Sequence, residues 1–284
     1  FASSSIKSLS FSHNSKLESV GNSVFEKSSI QTVFLPKSLT KVDPLWIKGA
    51  DNLVDVDVNP ENIYFNKKND LLFKNNEKEI VFASRKFKGT FSVPKGTKKI
   101  CDYSFSNVQN LLSFESLFSS LNEIGSYSFF KCEHLKTVVI HQENSILFSS
   151  FCFSNCRKLS TVEVTCKSFK TSDNCFNSCD LLTSFKVETS EEVKLHQETF
   201  KGCHNLQEIS FNKSSKIDIE NDHFCWPENL KLVSFNEVKE VILGHHTFKN
   251  AKNLENILIT KSSQVIVGDE CFVSSFGLKN IEFI

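Results

Sequence analysis

A phenylalanine returns along most of this chain at a fixed interval. Phe105, Phe129, Phe153, Phe176, Phe200, Phe224, Phe248 and Phe272 follow one another at steps of 23 or 24 residues. Six residues after each stands a leucine (Leu111, Leu135, Leu159, Leu182, Leu206, Leu230, Leu254, Leu278), and three further on another apolar residue, from Phe114 and Val138 to Ile257 and Ile281. A period of this length marks units that cannot bury an apolar face alone and stack on their neighbours to do so. The expectation is a solenoid built from one repeated supersecondary element, which leaves little room for an enzyme.

Within a unit the pattern changes period. From Ile124 to Ile140, the stretch Val138, Val139, Ile140 alternates in the manner of a short half-buried strand. The segment from Phe to Leu is compact and predicts a single helical turn or an irregular loop. A second apolar pair precedes the Phe in several units (Val193 and Leu195, Ile217 and Ile219, Val241 and Leu243, Val265 and Val267), predicting a second short strand per coil. The fold class expected is therefore a mainly β or α/β-type solenoid. Residues 1–284 form a single array, with looser units around Phe1, Phe25 and Ile47. The phase breaks after Ile47, and residues 59–99 read as an insertion. Its segment Asp70–Ala83 places two apolar runs about an Asn-rich tip, a hairpin signal. Such insertions tend to project from one face.

Charge narrows the partners. The chain carries 33 basic and 33 acidic residues, so as a whole it offers nucleic acid or an anionic membrane no attraction. No apolar run approaches the roughly 20 residues of a membrane span. The chain opens and stops in mid-phase, which suggests a piece of a longer protein whose targeting segments lie elsewhere.

The units IGSYSFFKCEHLKTVVI, NCFNSCDLLTSFKV and HQETFKGCHNLQEISF resemble the BspA-like leucine-rich repeat family, with its Ile-Gly, Ser-Phe, small residue-Cys, Leu and Val-Ile pattern. The segment from Val58 to Ile100 is similar to that family's hairpin insertion. The resemblance covers essentially the whole chain. It implies a right-handed arc lined on one face by a parallel sheet, and a role like that of bacterial surface adhesins or the expanded surface-protein families of protist parasites. The abundance of Phe, Asn, Lys and Ser would suit an AT-rich genome of the latter kind.

Cys132, Cys156, Cys179 and Cys203 each lie three residues after a repeat Phe, where other units carry Val108, Ala251, Ser275 or Pro227. A column that accepts those residues wants compact, weakly polar side chains, so these are expected to be buried free thiols. The Cys152/Cys156 and Cys175/Cys179 spacings occur in zinc sites, but one member of each pair already follows from the repeat. Of the eight histidines, His134 lies one residue before its repeat leucine and His204 two before, so these two share no column. No Ser-His-Asp set, phosphate-cradling loop or paired carboxylate stands apart from the repeat, so no cofactor, metal or catalytic residue is expected.

The outward positions of the strands form the candidate binding face: Asp55, Asp57, Glu115, Thr137, Val139, Thr161, Glu163, Ser184, Lys186, Glu208 and Ser210. This face is hydroxyl-rich and mildly acidic, which disfavours phosphate backbones and suits a protein or glycoprotein ligand. The same residues would also serve merely to keep a parallel sheet hydrated. Asn212-Lys213-Ser214 is a glycosylation sequon at the edge of that face. The reading is a non-catalytic recognition or adhesion module at the cell surface or outside the cell. The alternative is a cytoplasmic scaffold, and a carbohydrate-binding protein ranks third because no aromatic platform falls on the strand face.

Overall fold

The computed structural model describes residues 1–196, 198–219 and 227–284. The chain winds as a β-solenoid, and each regular coil crosses two sheets. The first sheet holds nine strands, from Lys88–Ser92 through Thr137–His141, Thr161–Cys166 and Ser184–Thr189 to Asn280–Phe283, all parallel. The second holds eleven, among them Glu123–Ile124, Glu192–Leu195, Lys216–Ile219, Glu240–Leu243 and Gln264–Val267. These last four contain the apolar pairs read from the sequence as second strands. Equivalent residues of successive units pair directly: Val138 with Val162, Val162 with Phe185, Phe185 with Ile209, Ile209 with Val233. Alternation along each strand sends these side chains inward, where none exposes measurable surface.

Between the sheets the repeat phenylalanines form a spine. Phe105, Phe129, Phe153, Phe176 and Phe200 are fully buried, and their rings stack at 4.9, 4.9, 5.6 and 6.0 Å in turn. Phe248 and Phe272 continue it at 5.6 Å; Phe224 lies outside the described residues. The stacking follows from coils about 4.8 Å apart carrying the same residue at the same position, with aromatic pairs preferring centroids about 4.5–7 Å apart. Phe185 inserts edge-on against Phe176 and Phe200 at 5.5 and 4.8 Å.

The expected helical turn between Phe and Leu is absent: the described residues contain no α-helix. Alternate amides of this segment instead serve two different coils. Phe130 and Cys132 donate within their own coil, to Tyr127 and Phe129, at 3.1 Å each. Tyr127, Phe129 and Lys131 donate to Ser150, Cys152 and Ser154 of the next coil at 3.1, 2.8 and 3.0 Å. A helix would turn all of these amides along its own axis. Inter-coil donation requires a left-handed residue two before and two after the repeat Phe, and the chain supplies them: Tyr127 and Lys131 (φ 55° and 57°), Phe151 and Asn155 (57° and 61°), Asn174 and Ser178 (58° each). The turn segment is thus a third hydrogen-bonded line along the solenoid.

The cysteine column is buried, and it does more than fill space. The thiols of Cys132, Cys156, Cys179 and Cys203 donate to the carbonyls of Phe105, Phe129, Phe153 and Phe176 in the preceding coil, at 3.1, 3.2, 3.2 and 3.1 Å. Ser275 and Ser28, at the same position, also donate to a repeat-Phe carbonyl, Ser275 to Phe248 and Ser28 to Phe25 in its own coil. All nine described cysteines are unpaired and buried.

The insertion does not project as a free hairpin. Phe65–Lys68, Leu71–Lys74 and Glu79–Ala83 pair antiparallel and extend the second sheet, the last strand pairing parallel with Lys99–Ile100. Both faces of this ribbon are covered. Leu72, Val81 and Phe82 pack into an N-terminal core with Phe25, Trp46 and Val56, while Leu71, Phe73, Ile80 and Ala83 pack into the main core. The ribbon is a wall between two cores, exposed at its tip (Asn75, Asn76 and Lys78) and at the opposite turn (Lys68 and Asn69).

Candidate functional site

The candidate face is the outer surface of the first sheet. Pairing aligns its residues in columns: Ser113, Thr137, Thr161, Ser184 and Glu208 in one; Glu115, Val139, Glu163, Lys186 and Ser210 in the next. Glu163 and Lys186 are exposed and neighbours in register, and Thr137, Val139, Thr161, Ser184, Glu208 and Glu115 are half-buried. Ser92 donates to Glu115 at 3.5 Å, and the Thr90 and Ser113 hydroxyls share a hydrogen bond at 2.7 Å.

Three members of the sequence-derived set are placed differently. Ser210 points outward yet keeps only 7% of its surface. The Asn212 side-chain amide donates to its hydroxyl at 3.1 Å, and Asn236 donates to Asn212 at 2.9 Å, building a lid of amides across this column. The sequon asparagine is therefore engaged on the face. Asp55 and Asp57 sit on a separate three-stranded sheet with Thr32–Leu35. Lys67 of the insertion grips both, at 2.8 and 3.0 Å, and Lys86 lies 3.4 Å from Asp55. Burial pushes the Asp55 carboxyl up, but its hydrogen bond and charge pairing with Lys67, helped by Lys86, outweigh that and hold it below the ordinary value. Lys67 shows the mirror image: burial pulls it down, and its bonds to Asp55 and Asp57 carry it above the ordinary ammonium value. These two acids thus tie the insertion to the array. A spacing signal could not have shown it, because Lys67 belongs to the one segment without a repeat phase.

Among the described residues no three His, Cys, Asp or Glu side chains gather as a metal ion needs, and no helix is long and apolar enough to cross a membrane. Burial pushes the Cys132 thiol up to about 12 and those of Cys156 and Cys179 well up, which suits structural rather than nucleophilic thiols.

The sequence profile of the BspA type leucine rich repeat region matches in six copies, over residues 1–88, 75–194 and 170–284. Among solved structures, a leucine-rich repeat protein from Eubacterium ventriosum superposes with a TM-score of 0.65 at 20% identity, covering 97% of this chain and 66% of that one. The pneumococcal vaccine antigen PcpA gives 0.67 at 20% identity, covering 92% of this chain and 62% of its own. A leucine-rich repeat protein from Bacteroides ovatus gives 0.50 at 19%, covering 92% and 69%. At these identities the likeness is one of fold, and this chain spans about two thirds of the length of those structures. No curated protein matches. The bacterial structures lend no support to the protist source suggested by composition.

Proposed function

This chain belongs to the BspA-type leucine-rich repeat family, and from that premise we propose that it is a non-catalytic recognition module that binds a protein or glycoprotein at the cell surface through the first-sheet face. The observation that carries the reading is the continuity of that face: paired strands from Lys88–Ser92 to Asn280–Phe283 present aligned, mostly polar columns on the side away from the core. Binding would be multipoint, with a few central anchors dominating affinity. Glu163, Lys186, Thr161 and Glu208 are the residues assigned to it.

The test is a binding comparison with the chain immobilised against cell-surface and matrix extracts. The fourfold alanine variant at those positions should lose the partner while keeping the wild-type melting temperature. Changes at Lys158 and Lys252 on the loops, and deletion of Asn75–Lys78, should leave binding intact. If the tip deletion abolishes binding and the sheet variant retains it, the insertion is the recognition site and the proposal falls. A second reading, a cytoplasmic scaffold, is favoured by the nine unpaired cysteines, which suit a reducing compartment.

A further inference from the structure

The insertion leaves a gap on the turn side of the solenoid. In a regular coil, residues 125–136 carry the chain from Glu123–Ile124 to Thr137–His141, but residues 84–87 alone join Glu79–Ala83 to Lys88–Ser92. One coil therefore lacks its turn segment, while its neighbours on both sides keep theirs. Ala83 supplies the missing inter-coil amide, donating to Ser104 at 2.8 Å just as Phe105 donates to Ser128. The rest of the space is a groove of about 230 Å³, with Gly49–Asp51 on one side and Tyr103–Asn107 on the other.

Arg85 lines this groove. Its Nη1 donates to the carbonyls of Ala83 and Ser104 at 3.0 and 3.2 Å, and its guanidinium sits 4.9 Å from the Phe82 ring centroid. Its Nε is buried with no hydrogen bond, and no carboxylate among the described residues pairs with it. The acid beside it, Asp51, accepts from Asn107 at 3.2 Å instead. A buried guanidinium is expensive to leave uncompensated. Here two carbonyls fix its orientation and leave the remaining donors of the fork unspent. That is a preorganised receptor for a planar anion, and a carboxylate fits the fork by bidentate hydrogen bonding.

The remaining lining narrows the ligand. Lys48 and Lys131 add ammonium groups, and Glu26 and Asp51 add carboxylates that accept hydrogen bonds from hydroxyls, so this mixed lining suits a ligand with a single negative charge and hydroxyls beside it. Tyr103, stacked on Tyr127 at 4.9 Å, gives one wall a flat apolar surface. One anion-binding fork, hydroxyl acceptors, an aromatic wall and room for about one ring describe a carboxylated pyranose. We propose that this groove binds the terminal uronic or sialic acid of a glycan, with Arg85 on its carboxylate. The groove lies on the turn side, so the proposal stands independently of recognition through the first-sheet face.

Saturation-transfer NMR on the full 284-residue chain tests it, with methyl glucuronide, N-acetylneuraminic acid, methyl glucoside, acetylglycine and inorganic phosphate as probes. At least one acidic sugar should receive saturation and the neutral glucoside none; which acid binds identifies the source as a uronate polymer or a sialylated chain. Arg85→Gln should weaken that binding about tenfold, the loss of a charge-assisted hydrogen-bond pair. Because Arg85→Gln also removes two internal hydrogen bonds, Asp51→Asn, at an exposed position, serves as the second variant and should weaken binding severalfold at an unchanged melting temperature. Three results would overturn the proposal: no transfer to either acidic sugar at millimolar concentration, equal binding of acetylglycine or phosphate, or binding that neither variant reduces.

Discussion

Replacing Phe153 by alanine tests the spine where it is most enclosed. Phe153 exposes no surface, stacks on Phe129 at 4.9 Å and Phe176 at 5.6 Å, and meets Phe148 and Phe114 at 5.3 and 6.1 Å. Truncating a core phenylalanine costs about 3–5 kcal/mol, transfer and cavity together. Four ring neighbours, each pair worth about 0.5–1.5 kcal/mol beyond area, put this site at the top of that range. The cavity cannot close by a local shift, because two hydrogen-bonded sheets hold the coils at their spacing. Phe272, half-buried against Phe248, should lose about 1–2 kcal/mol on the same change, in proportion to its smaller buried area. Urea unfolding followed by circular dichroism measures both. Hydrogen exchange adds a spatial readout, since a solenoid's stability is a sum of coil and nearest-neighbour terms. Amides of Thr161–Cys166 should lose protection far more than those of Thr32–Leu35, which belong to the other core. A Phe153→Ala loss below about 1.5 kcal/mol, half or less of what truncating a core phenylalanine costs, or a uniform loss of protection, would refute the stacked-spine account.

The buried thiols should resist a disulfide-exchange reagent in the folded protein and react together on unfolding; fast reaction of several in native buffer would contradict their placement. Lys67→Met should destabilise most near neutral pH. Asp55, depressed in the fold, contributes above its unfolded value and loses that contribution as pH falls through its folded value; Lys67, raised, contributes below its unfolded value and loses it as pH rises through its folded one. A wild-type-to-variant difference in urea midpoint that is flat from acid to alkali would dismiss this linkage. Gly125→Ala should cost about 1–3 kcal/mol by overpacking, because a Cβ there would meet the Asp102 backbone nitrogen at 2.8 Å and the Cys101 carbonyl carbon at 2.9 Å. A neutral melting temperature would show that the coils can part.

The sequence by itself determined whatever repeats. The Phe spine, the inward Val, Ile and Leu columns, both strands of each coil and the buried cysteines were legible because every unit solves the same packing problem with the same residues. The outward columns on which Glu163 and Lys186 lie followed from strand alternation alone. Of the two readings of the turn, a helical turn or an irregular loop, the helical one fails, and the sequence did not decide between them because the left-handed residues are chemically mixed: Tyr127, Lys131, Phe151 and Asn155 hold positive φ where composition suggested nothing unusual. Their conformation is imposed by the next coil, whose carbonyls take every second amide. Only the tertiary structure decided what happens at the insertion. There the ribbon becomes a wall between two cores, Lys67 neutralises Asp55 and Asp57, and a missing turn exposes Arg85. Each of these depends on contacts between segments that occur once in the chain. Periodicity reports interactions repeated at a fixed separation, so a contact made once leaves no trace in it.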